Sequence, residues 1–204
     1  MLLPIFPLPN VVLFPNVFLP LHIFEPRYRE MVRDALAGDR IIGMVLLRSG
    51  RATAGEPAPP VYPLGCAGLI THREHLQDGR FNIVLRGLHK FRILEEDHSR
   101  SYRRARVETI AEPDAPEGLR EARQRLERLL ARRLEAPGSD SKVPSGMRDA
   151  DLVNALSQYL EFDPLEKQAL LERSGLLERC QSLADLLEMK AFIENGNFPA
   201  THAQ

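Results

Sequence analysis

The sequence contains few cysteines and no long apolar run. Its only two cysteines, Cys66 and Cys180, are far apart and belong to no CxxC motif, which argues against a disulfide framework or a cysteine zinc site. No run of about 18 apolar residues occurs, so a membrane-spanning helix is not expected. No Lys or Arg precedes Arg27, so the start lacks the basic segment of a secretion signal. We therefore expect a soluble cytoplasmic protein that does not associate with membranes.

An excess of charge of one sign is also missing. The formal net charge of −1 argues against a protein that binds polyanions with its whole surface. There is no G-x-x-x-x-G-K-[ST] phosphate loop, and no serine stands in a protease-like Gly/Pro setting with a distant lysine partner. We therefore expect no ATP hydrolysis, no peptide cleavage and no cofactor.

Proline among apolar residues is abundant at the start of the chain. Six prolines occur before Arg27: Pro4, Pro7, Pro9, Pro15, Pro20 and Pro26. Because proline lacks a backbone N–H, it is confined to strand ends, edges and bulges. Leu2–Phe6 and Val17–Ile23 are therefore predicted to be short strands whose ends and edges the prolines mark. Pro26 then begins a helix that ends at Gly38.

Short apolar segments continue the β-rich half. Further strands are predicted at Ile41–Leu47, Val61–Ile70, Phe81–Leu85, Phe91–Leu94 and Arg103–Ile110, with a loop at Arg48–Pro60 and a tight turn at Asp78–Arg80. At least six short strands around one helix indicate a compact, mostly antiparallel, barrel-like domain.

The pattern becomes helical after Glu112–Gly118. Four helices are predicted, and the third begins with a capping box in which Asp163 is the N-cap, Pro164 follows and Glu166 is at N3. The predicted fold class is therefore α+β, with a β-rich domain over residues 1–112 and a helical subdomain over 117–198.

Four segments resemble successive parts of the N-terminal domain of Lon proteases. They are Pro4–Val32 ("PIFPLPNVVLFPNVFLPLHIFEPRYREMV"), Tyr62–Ile70 ("YPLGCAGLI"), Asp78–Ile93 ("DGRFNIVLRGLHKFRI") and Asp151–Leu187, which includes the "DPLEKQ" helix start. The resemblance implies a PUA-like β-barrel domain followed by an all-helical bundle. In full-length Lon this unit recognises substrates and helps the oligomer assemble, and it also occurs alone.

The resemblance implies a non-catalytic module that binds unfolded or apolar-rich polypeptides. Such a module would serve as an adaptor in protein quality control, or work with a separate protease or chaperone. Aromatic and amphipathic side chains near the proline-rich start are the peptide-binding candidates: Phe14, Phe18, His22 and Tyr62. Most such residues pack in a core, so each has a structural alternative. The sequence leaves the oligomeric state open.

Nucleic-acid binding is the main alternative. The stretch "RSYRRAR" offers four arginines to phosphates, namely Arg100, Arg103, Arg104 and Arg106, and the following helix adds more. That helix also contains Glu121 and Glu127 at pairing distance from Arg125 and Arg123, which favours a self-paired, solvated surface.

Catalytic or metal-binding roles have weaker support. In "THREH", only His72 and Glu74 share a strand face, which is too few ligands for a typical zinc site. Cys66 lies in an apolar strand and is predicted to be a buried small residue, so a small hydrolase that uses it is the least favoured hypothesis. No metal site and no catalytic residue are predicted.

Overall fold

The computed structural model describes residues 1–48, 59–112, 117–134 and 146–194. Most of the predicted loop Arg48–Pro60 and of the Gly/Ser/Pro-rich loop at 136–146 lies outside these residues. The described elements are β1 (Leu2–Leu8), β2 (Phe18–Ile23), α1 (Pro26–Ala37), β3 (Ile41–Leu46), β4 (Leu64–His75), β5 (Phe81–Asp97), β6 (Arg104–Ile110), α2 (Leu119–Leu134), α3 (Asp149–Tyr159), α4 (Pro164–Leu171) and α5 (Leu176–Glu194). The fold is thus mixed, with a six-stranded sheet and five helices in the described part of the chain.

The six strands form one sheet in the order β2-β5-β4-β3-β1-β6, and β5 also pairs with β6. Five strands therefore form a closed ring of hydrogen-bonded neighbours, and β2 extends from β5 as an edge strand. All strand pairs are antiparallel except β1 with β3. A core cluster that includes Leu3, Ile5 and Phe91 lies among β1, β3, β4, β5 and β6.

The prolines of β1 occupy positions where one side of the strand is unpaired. β1 pairs with β6 only through Leu2–Pro4, and with β3 only from Ile5 to Leu8. Pro4 therefore precedes the β3 pairing, and Pro7 follows the end of the β6 pairing. A missing N–H costs little there, since no ladder bond is lost on the unpaired side.

One predicted boundary was wrong. Phe81–Leu85 and Phe91–Leu94 belong to a single 17-residue strand, β5, and Gly87 lies inside it rather than between two strands. A Cβ atom at Gly87 would lie 2.0 Å from the carbonyl oxygen of Phe14. Gly87 also exchanges backbone hydrogen bonds with Asn16 and Val17, each at 2.9 Å. The glycine is required because the proline-rich connection passes directly against β5.

Contacts divide the chain into two compact units. The first comprises Met1–Ala111 and Asn154–Glu172, so α4 and the end of α3 group with the strands. Two buried glutamines of this segment bond to the backbone of the β-rich part: Gln158 Oε1 accepts from the N–H of Phe14 at 3.2 Å, and Gln168 Nε2 donates to the carbonyl of Leu64 at 3.0 Å. This grouping differs from the predicted division at 112–117, which followed chain order alone.

The capping box at the start of α4 is confirmed. Asp163 is the N-cap, and its N–H donates to Glu166 Oε2 at 2.8 Å. Pro164 occupies the first helical position, where no N–H is needed. Lys167, one turn on, donates to the carbonyl of Gln158 at 2.6 Å, which ties α4 to the end of α3.

The second unit comprises Glu112–Val153 and Arg173–Gln204, and within it α2 packs on α5. The buried side chains of α2 are Leu119, Ala122, Leu126 and Leu130, and those of α5 include Cys180, Leu183 and Leu187. Burial raises the pKa of the Cys180 thiol to about 11, which keeps it protonated and unreactive at neutral pH.

None of the described helices is long and apolar enough to cross a lipid bilayer.

Candidate functional site

Nine residues of the first unit form an outward surface on β2, β5 and β4. The strand registers place them in three rows across the sheet: Phe18–Arg86–Leu69, Pro20–Val84–His72 and His22–Asn82–Glu74. Residues directly opposite one another on paired strands share a face, so each row lies on one side of the sheet. We call this surface the β2 face. The Phe18 side chain is 50% exposed.

A shallow cavity of about 330 Å³ lies on the β2 face. It is lined by Pro20, Leu21, His22, His72, Asn82, Ile83 and Val84. Val84 and Pro20 contribute an apolar surface, while the two histidines and Asn82 contribute polar atoms beside it. An apolar depression with a few fixed polar groups is the usual form of a small binding site.

The row His22–Asn82–Glu74 of the β2 face is ordered by a chain of hydrogen bonds. Arg80 Nη1 lies 3.3 Å from His22 Nε2, His22 Nδ1 lies 2.7 Å from Asn82 Oδ1, and Asn82 Nδ2 donates to Glu74 Oε2 at 2.7 Å. Because Arg80 can only donate, Nε2 accepts and the proton of His22 lies on Nδ1. The row is therefore polar and internally satisfied.

The outer edge of β2 is a poor template for another strand. β2 is the last strand of its sheet, and its N–H and C=O groups opposite β5 are directed outward at alternate residues. Pro20 has no N–H, and the carbonyl of Phe18 already accepts a bond from the Tyr159 hydroxyl at 2.9 Å. The exposed side chains of β2, rather than its backbone, are what this region offers to a ligand.

Comparison with known proteins identifies the family. The family model of the substrate-binding domain of ATP-dependent protease La (Lon) matches residues 2–189. The chain belongs to the Lon substrate-binding domain family. Lon protease 2 of Myxococcus xanthus is 30% identical over 196 residues, which cover 92% of this chain and 24% of that protein. Lon protease of Cytophaga hutchinsonii is 26% identical over 196 residues, with 91% and 24% covered. The chain thus spans about a quarter of the length of these relatives.

Solved structures show the same fold. A Lon N-terminal domain protein from Xanthomonas campestris superposes with a TM-score of 0.63 at 21% identity, covering 94% of this chain and 98% of that one. The N-terminal domain of Lon protease from Mycobacterium avium complex gives 0.66 at 17% identity, with 92% and 98% covered. The Lon N-terminal fold predicted from four sequence segments is therefore confirmed.

The structure places the four peptide-binding candidates of this Lon domain in different surroundings. Phe18 and His22 lie together on the β2 face. Phe14 is fully buried, which corrects its selection as a surface candidate; its N–H is held by Gln158. Tyr62 is half-buried near the end of β3, where its N–H donates to the carbonyl of Leu46, and the Arg48 guanidinium lies 5.5 Å from its ring centroid.

Three of the four nucleic-acid candidates of this Lon domain are closely ion-paired. Arg103 makes a bidentate contact with Glu96 at 2.7 and 2.8 Å, and also donates to the carbonyl of Pro59. Arg104 contacts Asp97 at 2.7 Å, and Arg106 contacts Glu95 at 2.5 Å. Arg100 lies 3.9 Å from both Glu30 and Asp34. These arginines therefore face carboxylates of the same chain.

Two arginines of α2 show the same behaviour. Arg123 contacts Glu127, as the i, i+4 spacing predicts, and also Asp149. Arg125 contacts Asp185 and Glu188 of α5. These two arginines of the Lon domain are therefore paired with carboxylates of the same chain.

The remaining predicted roles also have clear structural contexts. His72 and Glu74 share one face of β4, as predicted, whereas the His75 ring stacks on Phe81 at 4.7 Å between centroids. Within the described residues, no cluster of three or more His, Cys, Asp or Glu side chains is placed to hold a metal ion. Cys66 is fully buried.

Sequence reasoning missed Asn82, Val84, Arg86 and Tyr159. A signal was available for the first three: Phe81, Ile83 and Leu85 alternate with them and are buried, so the intervening residues must point outward. Tyr159 had no such signal, because its contact with Phe18 joins residues 141 positions apart.

Proposed function

We propose that this protein is a non-catalytic recognition module that binds extended, apolar-rich segments of unfolded polypeptides on the β2 face. The observation that carries the proposal is the exposed column of Phe18, Pro20 and His22 beside the 330 Å³ cavity. The family supplies the class of ligand, since its matching domain is named for substrate binding.

The polypeptide lies across the side chains of the β2 face and does not extend the sheet as an added strand. Strand addition needs a row of free N–H and C=O groups. Pro20 and the Tyr159 hydroxyl remove two of those groups from the outer edge of β2. Removing the hydroxyl with Tyr159→Phe frees the Phe18 carbonyl, so increased affinity of this variant would favour strand addition, and unchanged or weaker binding supports side-chain recognition.

The main test compares two exposed apolar side chains of the first unit. Phe18 and Leu94 are 50% and 57% exposed, on β2 and β5 respectively, and only Phe18 belongs to the β2 face. We expect wild-type affinity for a fluorescein-labelled, chemically unfolded protein in the micromolar range, because one shallow surface offers few anchors. Phe18→Ala should weaken binding about tenfold, and Leu94→Ala should leave it unchanged.

Fluorescence anisotropy measures the affinities, and thermal melting checks that both variants remain folded. Equal losses for the two variants would indicate non-specific apolar binding, and no loss for Phe18→Ala would remove the β2 face as the site. Tyr62 stays a secondary candidate, and Tyr62→Ala in the same assay decides its role. Phe14→Ala is unsuitable, because a buried aromatic reports on the core.

We also infer that the closed ring of five strands is a PUA-like barrel, which the β5–β6 pairing supports. Three further points stay predictions: the β-rich subdomain at 1–112 with a helical subdomain at 117–198, a cytoplasmic location, and an adaptor role beside a separate protease or chaperone. RNA binding through Arg100–Arg106 has less support, since the carboxylates around those arginines compete with phosphates.

A further inference from the structure

Arg86 is the only arginine or lysine among the nine residues of the β2 face. It lies on the middle strand, directly opposite Phe18 of β2 and Leu69 of β4, and it is exposed. Its Nη2 atom lies 3.4 Å from Asn16 Oδ1, a long contact with a neutral acceptor. No carboxylate oxygen of the described residues lies within 4.0 Å of its guanidinium.

The carboxylates nearest in the register are already engaged. Glu74, two rows from Arg86, accepts a bond from Asn82 at 2.7 Å. Asp78, in the turn before β5, contacts Arg80 at 2.6 Å. Farther along β5, Glu95 and Asp97 each pair with an arginine of β6. An acidic ligand can therefore contact Arg86 without displacing any of these pairs.

The position of Arg86 relative to the cavity sets the geometry of such a ligand. Arg86 and Val84 are two residues apart on one strand, which separates them by about 7 Å. An extended peptide lying along β5 has the same repeat, so side chains two residues apart meet Arg86 and the cavity between Val84, Pro20 and His72.

We propose that the β2 face selects extended peptide segments in which an acidic and an apolar side chain are separated by one residue. This inference rests on the proposed polypeptide-binding function and gives it a ligand class. The acidic side chain contacts the Arg86 guanidinium, and the apolar side chain occupies the cavity and contacts Phe18 or Pro20. Charge complementarity supplies the preference, and apolar contact supplies most of the affinity.

The test uses short fluorescein-labelled peptides of matched length and composition. One carries Glu-x-Leu, the second Gln-x-Leu, and the third places Glu directly before Leu, so that the two side chains point to opposite sides. Because an exposed ion pair is weak, wild type should prefer the first peptide over each of the others by about threefold, and added salt should reduce this preference.

Arg86→Gln should remove the preference, and Arg86→Glu should reverse it towards a Lys-x-Leu peptide. Arg92→Gln is the matched control, since Arg92 is an exposed arginine of the same strand that lies opposite Glu108 and outside the β2 face. It should keep the wild-type preference.

The outcomes separate this inference from the proposed function. If all peptides bind wild type equally and Phe18→Ala weakens them all, polypeptide binding stands and acidic selection is overturned. If none of the peptides binds wild type, both are overturned. A preference that persists in Arg86→Gln, or that Arg92→Gln also removes, overturns the role of Arg86.

Discussion

Strand β5 passes through two regions that handle charge differently. Its first half, from Phe81 to Gly87, lies between β2 and β4 and contains one arginine, Arg86, that has no carboxylate partner among the described residues. Its last residues, from Glu95 to Asp97, lie opposite β6, and each of these three carboxylates contacts an arginine. Arg86 in the first region is exposed to solvent, whereas the carboxylates of the second region are paired with arginines of the same chain.

This difference shows why local charge density is a poor guide to a binding site. The stretch from Arg100 to Arg106 is the more basic of the two in sequence, yet its arginines meet Glu95, Glu96 and Asp97. Arg86 lies in an apolar segment, and the local charge density of the sequence does not indicate it as a binding residue. An exposed charge becomes available to a ligand only when its folded neighbours leave it unpaired.

The largest expected effect comes from Gly87, where the two halves of β5 meet. In Gly87→Ala the new Cβ atom would lie 2.0 Å from the carbonyl oxygen of Phe14, a backbone atom that cannot move alone. We expect a loss of about 3 kcal/mol in the free energy of unfolding, measured by urea denaturation.

Gly38→Ala is the control for this variant. The nearest atoms to a Cβ at Gly38 are 3.8 and 3.9 Å away, so an added methyl group meets no backbone atom closely there. The Gly38 ψ of −132° is unusual for alanine, so we expect a loss of about 1 kcal/mol, clearly smaller than that of Gly87→Ala. Similar stabilities for the two variants would mean that the proline-rich connection does not pass against β5.

The ion pairs at the end of β5 can be disrupted by reversing the charge of two arginines that contact its carboxylates. The double change Arg103→Glu and Arg104→Glu places like charges against Glu96 and Asp97, and it should lower the free energy of unfolding by about 2 kcal/mol. Any weak RNA affinity should fall only as far as the added negative charge repels phosphates. Arg100→Glu is the control, because its ion pairs are 3.9 Å long and half-exposed, so its effect should be below about 0.5 kcal/mol.

Chemical denaturation and RNA titration at several salt concentrations measure the two properties separately. If the double variant keeps its stability but loses a salt-sensitive RNA affinity, the comparison between the two regions of β5 is reversed. The basic stretch would then be the binding site, and the β2 face would not.

The smallest expected effect concerns aspartates at the two ends of β5. The Ser99 N–H, which donates to Asp97 at 2.8 Å, lowers the pKa of that carboxyl below its usual 3.8, and the Arg80 N–H does the same for Asp78. A lowered folded-state pKa means that the stabilisation is present above the unfolded pKa and is lost as the pH falls through the folded pKa.

Asp97→Asn and Asp78→Asn should therefore be slightly less stable than wild type at neutral pH. Both differences should disappear as the pH is lowered from about 7 to about 2, and denaturation series over that range measure them. A stability difference that stays constant down to about pH 2 would show that the carboxylate charge does not contribute to stability at that end of β5.

The sequence alone predicted the elements whose stability is local. α1 begins at Pro26 and ends before Gly38, the Asp163–Glu166 capping box is formed, and Gly79 adopts the positive φ of a tight turn. These features depend on residues at most four positions apart, so their periodicity and spacing are visible in one dimension. The family resemblance extended this to the whole fold.

Only the tertiary structure decided which of the candidate residues are available to a ligand. It buried Phe14 against Gln158, paired Arg103 with Glu96, and left Phe18 and Arg86 exposed side by side. The alternation in β5 indicates that Arg86 points outward, but the sequence does not show which partners each residue meets, because strand register and helix docking join residues far apart in the chain. A one-residue change of register would move every side chain of a strand to its opposite face, so availability is a property of the pairing and not of the residue.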